Sequence, residues 1–252
     1  MPINKVVSSF DEAVADIHDG ATILIGGFGA VGGCPSYLIR ALAKQGAKNL
    51  TIVLNAGGLG TEIIRGMASR MLAPDWYMDA GLLVENGQVR KAIAAVPVSQ
   101  TPAMVWPLEK RMLAGEAEIE TVPQGTLAAR IQAAKDGIAA IYTPTGPGTV
   151  IEEGKEVRVF DGRKHLLEYA IKADFAFVRA FKADRWGNLI YRGTSRTFNA
   201  TMAGAAKVNI AEVDEVVPLG AITPEVVVTP AFWIDRVVPR PDEGRTREVQ
   251  KW

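Results

Sequence analysis

A chain of 252 residues, 48% hydrophobic and 22% charged, can bury a sizeable core, in one large domain or two small ones. Its 28 basic residues balance 28 acidic ones, and no Lys/Arg run interleaves with aromatics, so nucleic acid is excluded as an expected partner. No window holds the roughly 18 consecutive apolar residues of a membrane span, and MPINKVVSSFDEAV lacks the basic head and apolar stretch of a secretory leader, so a cytoplasmic protein is expected. A single cysteine, Cys34, allows no intrachain disulfide, and His18 and His165 lack zinc-ligand spacing, so no structural metal is expected either.

Ser9-Phe-Asp-Glu12 has capping-box spacing for a helix running towards Gly20. The apolar run Ala21–Ile25 predicts a strand buried on both faces, emptying into Gly26-Gly-Phe-Gly-Ala-Val-Gly-Gly33. Pro35 presets φ for a helix carried by Leu38 and Leu42 to a stop at Gly46. A second strand is predicted over 50–54, then strands at 89–96, 119–122 and 138–142, separated by helices from about Thr101 and around 127–134. After Pro144 the texture changes. Asp161-Gly162 has the chemistry of a hairpin turn between 157–160 and 165–169, and Asp184-Arg-Trp-Gly-Asn188 separates 174–182 from 189–192 in the same way. The expected fold is α/β, one domain over residues 1–252: an open, mostly parallel sheet flanked by helices, with a β-rich antiparallel elaboration in the C-terminal half.

Gly27-Phe-Gly29-Ala-Val-Gly32 fits G-x-G-x-x-G between a strand and a helix, the context of a dinucleotide site. A nicotinamide enzyme also needs an acidic residue at the end of strand two to hold the ribose, but residues 50–60 contain none and the strand runs into Asn55. What remains is a loop whose backbone N–H groups can approach an oxygen that develops negative charge, or a plain strand-to-helix turn.

The segment 25–35 resembles the G-G-F-G-x-x-G-x-P signature of the A (alpha) subunits of family I CoA-transferases, with one extra residue before the proline. Four further segments match in order: Asn49–Gly57, Val122–Arg130, Tyr142–Thr149, and Asp174–Asn188 continuing through Arg196–Asn199. The resemblance covers roughly residues 5 to 238 and is strongest to subunits that act on 3-oxo acids. It implies a Rossmann-like, CoA-transferase-type fold. It also implies an A2B2 assembly with a B subunit, no permanently bound cofactor, and acyl-CoA and carboxylic acid as substrates. No nucleophile is expected in this chain, because the family's catalytic glutamate belongs to the partner. Gly26, Gly27, Phe28 and Gly29 would line the acyl pocket. A variant of the same family that hydrolyses ring-containing CoA thioesters is the alternative.

Asn55-Ala56 stands where the family usually has two asparagines, so Asn55 is expected to contact substrate alone. Gln124 opens a βα turn and offers its amide to an acyl carbonyl or carboxylate, or else caps the turn. An insert between Gly60 and Gly87 carries Trp76 and Tyr77, which either cap a pocket or pack locally. Val84-Glu-Asn-Gly87 mimics the Glu-Asn-Gly of the B-subunit nucleophile. Its place before Gln88-Val-Arg-Lys91 and its Asn-Gly turn chemistry make Glu85 a structural residue here. Cys34 and His165 are read as structural. Thr143 and Thr145, and the turn residues Lys182, Asp184, Arg185 and Asn188, are open to folding or binding roles.

Overall fold

The computed structural model describes residues 3–28, 33–70, 73–101 and 103–242. The strands are β1 (Thr22–Ile25), β2 (Leu50–Ala56), β3 (Val89–Val96), β4 (Glu118–Thr121), β5 (Ala140–Thr143), β6 (Val157–Phe160), β7 (Arg163–Tyr169), β8 (Ala173–Asp184), β9 (Leu189–Ile190), β10 (Ala206–Val217) and β11 (Arg236–Pro239). The helices are α1 (Phe10–Ala13), α2 (Ser36–Gln45), α3 (Thr61–Ser69), α4 (Gly81–Glu85), α5 (Pro107–Leu113), α6 (Gln124–Lys135) and α7 (Thr197–Met202).

The main sheet runs β11-β10-β8-β1-β2-β3-β4 with every neighbouring pair parallel, and β9 joins β8 antiparallel. Parallel strands buried on both faces must be largely apolar, and β1 is so beyond its half-buried first residue, Thr22: Ile23 and Ile25 face one layer while Leu24 faces the other. On the first face Phe175, Phe177 and Ile210 pack with Leu38, Ile39 and Leu42 of α2 and with Leu83 of α4. On the second, Ala176, Val178 and Ala211 pack with Leu127 and Ile131 of α6 and with Phe198 and Met202 of α7. The result is helix, sheet, helix. From β1 the chain adds β2, β3 and β4 on one side, whereas β8, β10 and β11 extend the other side. That reversal of direction makes β1 the switch point, and in such sheets ligands collect beyond the carboxyl ends of the strands at this place.

The antiparallel elaboration is the small sheet β5-β7-β6 together with β9. Asp161 and Gly162, both at positive φ (49° and 73°), turn β6 into β7 as their chemistry predicts. The long strands β8 and β10 instead join the parallel sheet along ten register pairs, so the second half is less antiparallel than its closely spaced strands suggest.

Several local expectations change in detail. Ser9 accepts a hydrogen bond from the Glu12 N–H (3.1 Å), but the Glu12 carboxylate takes the Ser8 N–H (2.8 Å) rather than closing a capping box. The first helix stops at Ala13, well short of Gly20. The helix sought from Thr101 begins at Pro107, where proline at the first helical position loses no hydrogen bond. Helix α2 does end at Gly46, with φ 89°.

Candidate active site

Gly26 leaves β1 with its N–H bonded to the Phe177 carbonyl at 2.9 Å. Gly27 follows at φ 103°, a conformation open to glycine and costly for other residues. Gly29 and the following loop residues to 32 lie outside the described residues. The loop re-emerges at Gly33, φ 76°, before α2 begins.

Two side chains from distant parts of the chain hold this loop. Asn199 of α7 is fully buried: its Nδ2 donates to the carbonyls of Gly33 (2.9 Å) and Ser195 (2.6 Å), and its Oδ1 accepts the Arg179 N–H of β8 (2.9 Å). At the other end Glu212 of β10, also fully buried, accepts the N–H groups of Tyr37 and Leu38 at 2.9 and 3.1 Å. It thereby satisfies donors of the first turn of α2, which has no side-chain cap from Pro35. Arg240, itself buried, pairs with Glu212 and Asp214 at 2.9 Å each and lies over Trp76, its guanidinium carbon 4.0 Å from the ring centroid. Trp76 is therefore a packing residue. Burial pushes the Glu212 carboxyl above its ordinary value, against the pull of Arg240 and the two N–H donors.

Between the glycine loop and the ends of β2 and β3 lies a cavity of about 390 Å³. Gly26, Gly27 and Phe28 form one wall; Phe28 stacks on Phe198, with centroids 6.4 Å apart. Asn55 closes the end of β2 and reaches the same space. Gln124, first residue of α6, is not among the lining residues. It lies behind Asn55 and donates from Nε2 to Asn55 Oδ1 at 2.6 Å, which turns the Asn55 amide. The two polar residues singled out in the sequence thus form one unit, with Asn55 in front.

Tyr77, buried, and Asp79 form the floor. Asp79 accepts the N–H groups of Leu59 (2.7 Å), Gly60 (3.3 Å) and Gly81 (2.9 Å), tying the loop after β2 to the start of α4. Neither Asp79 nor Asn199 stands out on sequence grounds, although Asn199 closes one of the matched segments. Their importance comes from backbone groups that converge only in the fold.

The ionisable groups in this cavity are poor nucleophiles. Burial above all, with Asp79 and Glu212 nearby, holds the Cys34 thiol well above its ordinary value, so it stays protonated. Burial does the same to the Tyr77 phenol. Asp79 is occupied by three donors, and burial raises its carboxyl.

Glu85 lies at the end of α4, where its carboxylate accepts the Thr61 N–H at 3.0 and 3.2 Å and so caps α3. The turn residues also have structural work. Asp184 takes the N–H groups of Trp186, Gly187 and Asn188 and the Asn188 amide, while Asn188 receives the Ala231 N–H. Lys182 pairs with Glu215 at 2.8 Å. Thr143 Oγ1 accepts the Thr145 N–H at 3.3 Å within its own loop, and His165 Nδ1 lies 2.9 Å from the Arg163 carbonyl.

The family model for coenzyme A transferase matches residues 7–240. Among curated relatives, the A subunit of the 3-oxoadipate CoA-transferase of Acinetobacter baylyi is 48% identical over 239 residues, 94% of this chain and 95% of that one. The A subunit of the succinyl-CoA:3-ketoacid coenzyme A transferase of Helicobacter pylori is 39% identical over 235 residues, 93% and 92% of the two chains. Among solved structures, an acyl-CoA transferase of Escherichia coli O157:H7 in a thioester complex with CoA superimposes with a TM-score of 0.75 at 25% identity, over 95% of this chain and 48% of that one. A parallel sheet with its cavity at the β1 switch point, and a match along nearly the whole sequence, agree: the chain belongs to the coenzyme A transferase family.

Proposed function

We propose that this chain, acting as one domain, is the A subunit of a cytoplasmic two-subunit acid CoA-transferase that moves CoA between an acyl-CoA and a 3-oxo acid, in an A2B2 assembly. The observation that carries the proposal is a ligand-sized cavity walled by a glycine loop and an oriented amide, whose own ionisable groups are buried, protonated or already hydrogen-bonded. The nucleophile is then a glutamate of the partner. Its carboxylate attacks the acyl-CoA carbonyl, forming a mixed anhydride and releasing CoA thiolate. The thiolate attacks the glutamyl carbonyl, the acyl group leaves as a carboxylate, and CoA remains as a glutamyl thioester. The incoming acid runs these steps in reverse. CoA is a substrate here, with no permanently bound cofactor.

In this scheme Gly26, Gly27, Phe28 and Gly29 line the acyl pocket and a backbone N–H of this loop other than that of Gly26, which stays with the Phe177 carbonyl, meets the carbonyl oxygen as it becomes negative, while Asn55, oriented by Gln124, donates to the acyl group. Assay of the purified chain alone should show no CoA transfer, and co-expression with its B subunit should restore it. Robust transfer by the isolated chain would overturn the placement of the nucleophile.

A further inference from the structure

Asn199 ties together the two ends of the glycine loop. Its Nδ2 donates to the Gly33 carbonyl at 2.9 Å, where the loop runs into α2, and its Oδ1 stands where a side chain on Gly26 would begin, 2.0 Å from a Cβ built there. Strand β8 fixes loop and asparagine alike: the Phe177 carbonyl accepts the Gly26 N–H and Asn199 Oδ1 accepts the Arg179 N–H, both at 2.9 Å. The preceding residue, Phe198, carries Phe28, their rings stacked at an interplanar angle of 15°. Gly27 and Phe28, which follow Gly26 into the cavity wall, therefore leave β1 in a direction set by α7. The wall formed by Asn55 and Leu59 has other supports, since Gln124 orients Asn55 and Asp79 holds the Leu59 N–H.

Resting on the CoA-transferase reading, we propose that Asn199 is a positioning residue for the reaction: it aims the loop's N–H groups at the acyl carbonyl oxygen without touching substrate itself, and Phe198 assists through Phe28. A donor to a developing charge is effective only when fixed beforehand, and a misplacement of about 1 Å can cost about 10²-fold in rate. Replacing the Asn199 amide by a methyl group frees the Gly33 end of the loop and opens space beside Gly26. The loss falls on the chemical step. Binding of acyl-CoA, which also draws on the walls at Asn55 and Leu59, stays close to the parent value.

The test follows the half-reaction of the reconstituted complex with acetoacetyl-CoA and with succinyl-CoA, reading the enzyme–CoA thioester by rapid quench and mass spectrometry. Its amplitude counts folded, competent sites, so a change in rate constant is separated from a loss of fold. Asn199→Ala should lower the rate constant about 10²-fold while the amplitude and the half-saturating acyl-CoA concentration stay within about 3-fold of the parent. Asn209→Ala is the matched control. That asparagine of β10 is also buried and also holds backbone, the Gly204 N–H at 2.8 Å and the Ala206 carbonyl at 2.9 Å, and its variant should keep the parent rate constant. Should Asn199→Ala fail to assemble, Phe198→Leu, a milder change of the same support, should lower the rate constant about 5- to 10-fold. A parent-like rate constant in either variant, an equal fall in Asn209→Ala, or a change confined to half-saturation would overturn the inference while leaving CoA transfer intact. No thioester in the parent complex with either acyl-CoA would overturn the CoA-transferase reading and the inference with it.

Discussion

A Cβ built on Gly26 would stand 2.0 Å from Oδ1 of Asn199 and 3.1 Å from the Phe177 carbonyl oxygen. Gly33 meets the same segment from the other side, its added Cβ falling 2.7 Å from Ser195 Cβ and 2.8 Å from Asn199 Nδ2. The glycine loop is thus moulded against residues 195–199, and two of its glycines are required by contact with α7 and the turn before it as well as by any approach of a ligand.

Gly26→Ala should destabilise the chain by about 1–3 kcal/mol through overpacking. Asn199→Ala should cost a similar amount or more, because it leaves buried carbonyls at Gly33 and Ser195 and the Arg179 N–H unmatched. The double variant should be more stable than the sum predicts by at least about 0.5 kcal/mol, since the second change makes room for the first. Denaturant titration of the four proteins measures the coupling, and strict additivity would refute the contact.

Asn55→Ala should lower kcat in the assembled enzyme by about 10²- to 10³-fold, the usual result of losing one donor to a developing negative charge. Gln124→Ala should have a smaller effect in the same direction, because it leaves the Asn55 amide in place but free to rotate. Steady-state kinetics decide the order; a larger loss in Gln124→Ala would make Gln124 the direct contact.

Glu85→Ala should leave the enzyme–CoA thioester intact and cost about 1 kcal/mol of stability, the value of a lost helix cap. Mass spectrometry after incubation with acyl-CoA reads the first effect and thermal unfolding the second. Loss of the thioester would restore Glu85 as the nucleophile.

Asp174 sits at the start of β8, where Lys207 (2.9 Å) and the Thr22 N–H (2.9 Å) hold its carboxyl below the ordinary value of 3.8. A carboxyl whose folded-state value is depressed stabilises the fold above its unfolded value, and that contribution is lost as pH falls through the folded value. The stability gap between the parent chain and Asp174→Asn should accordingly be constant above about pH 5 and close on further acidification. A gap that widened in acid would contradict the assignment.

Arg240→Met should be strongly destabilising, by about 3–5 kcal/mol, because it removes the cation paired with buried Glu212 and the nearer of two guanidinium groups on Asp214, Arg179 lying at 3.4 Å. Arg240→Lys should recover little of it, since a compact ammonium cannot pair with both carboxylates while also covering Trp76 as the guanidinium does. Chemical denaturation of both variants checks the order.

Much of this molecule was legible in the sequence because the relevant physics is local. Unbroken apolar runs at Ala21–Ile25 and Leu50–Leu54 mark strands covered on both faces, Asp161-Gly162 carries its own turn, and the glycine cluster announces a loop of unusual backbone. The order of matched segments was sufficient to indicate the family. Helix ends were less legible: Glu12 found Ser8 instead of closing the predicted box, and α5 waited for Pro107.

What only the tertiary structure decided is which polar groups meet. Asn55 and Gln124 are 69 residues apart and share one hydrogen bond; Asn199 reaches Gly33 across 166 residues; Glu212 caps a helix 174 residues before it. Trp76 and Tyr77 are neighbours in sequence, yet one stacks under Arg240 and the other floors the cavity. Hydrophobic periodicity records where a strand or helix lies, because burial repeats with the element's own period. A buried hydrogen bond between distant residues leaves no such period. It exists only once the parallel sheet has set β8 between β1 and β10.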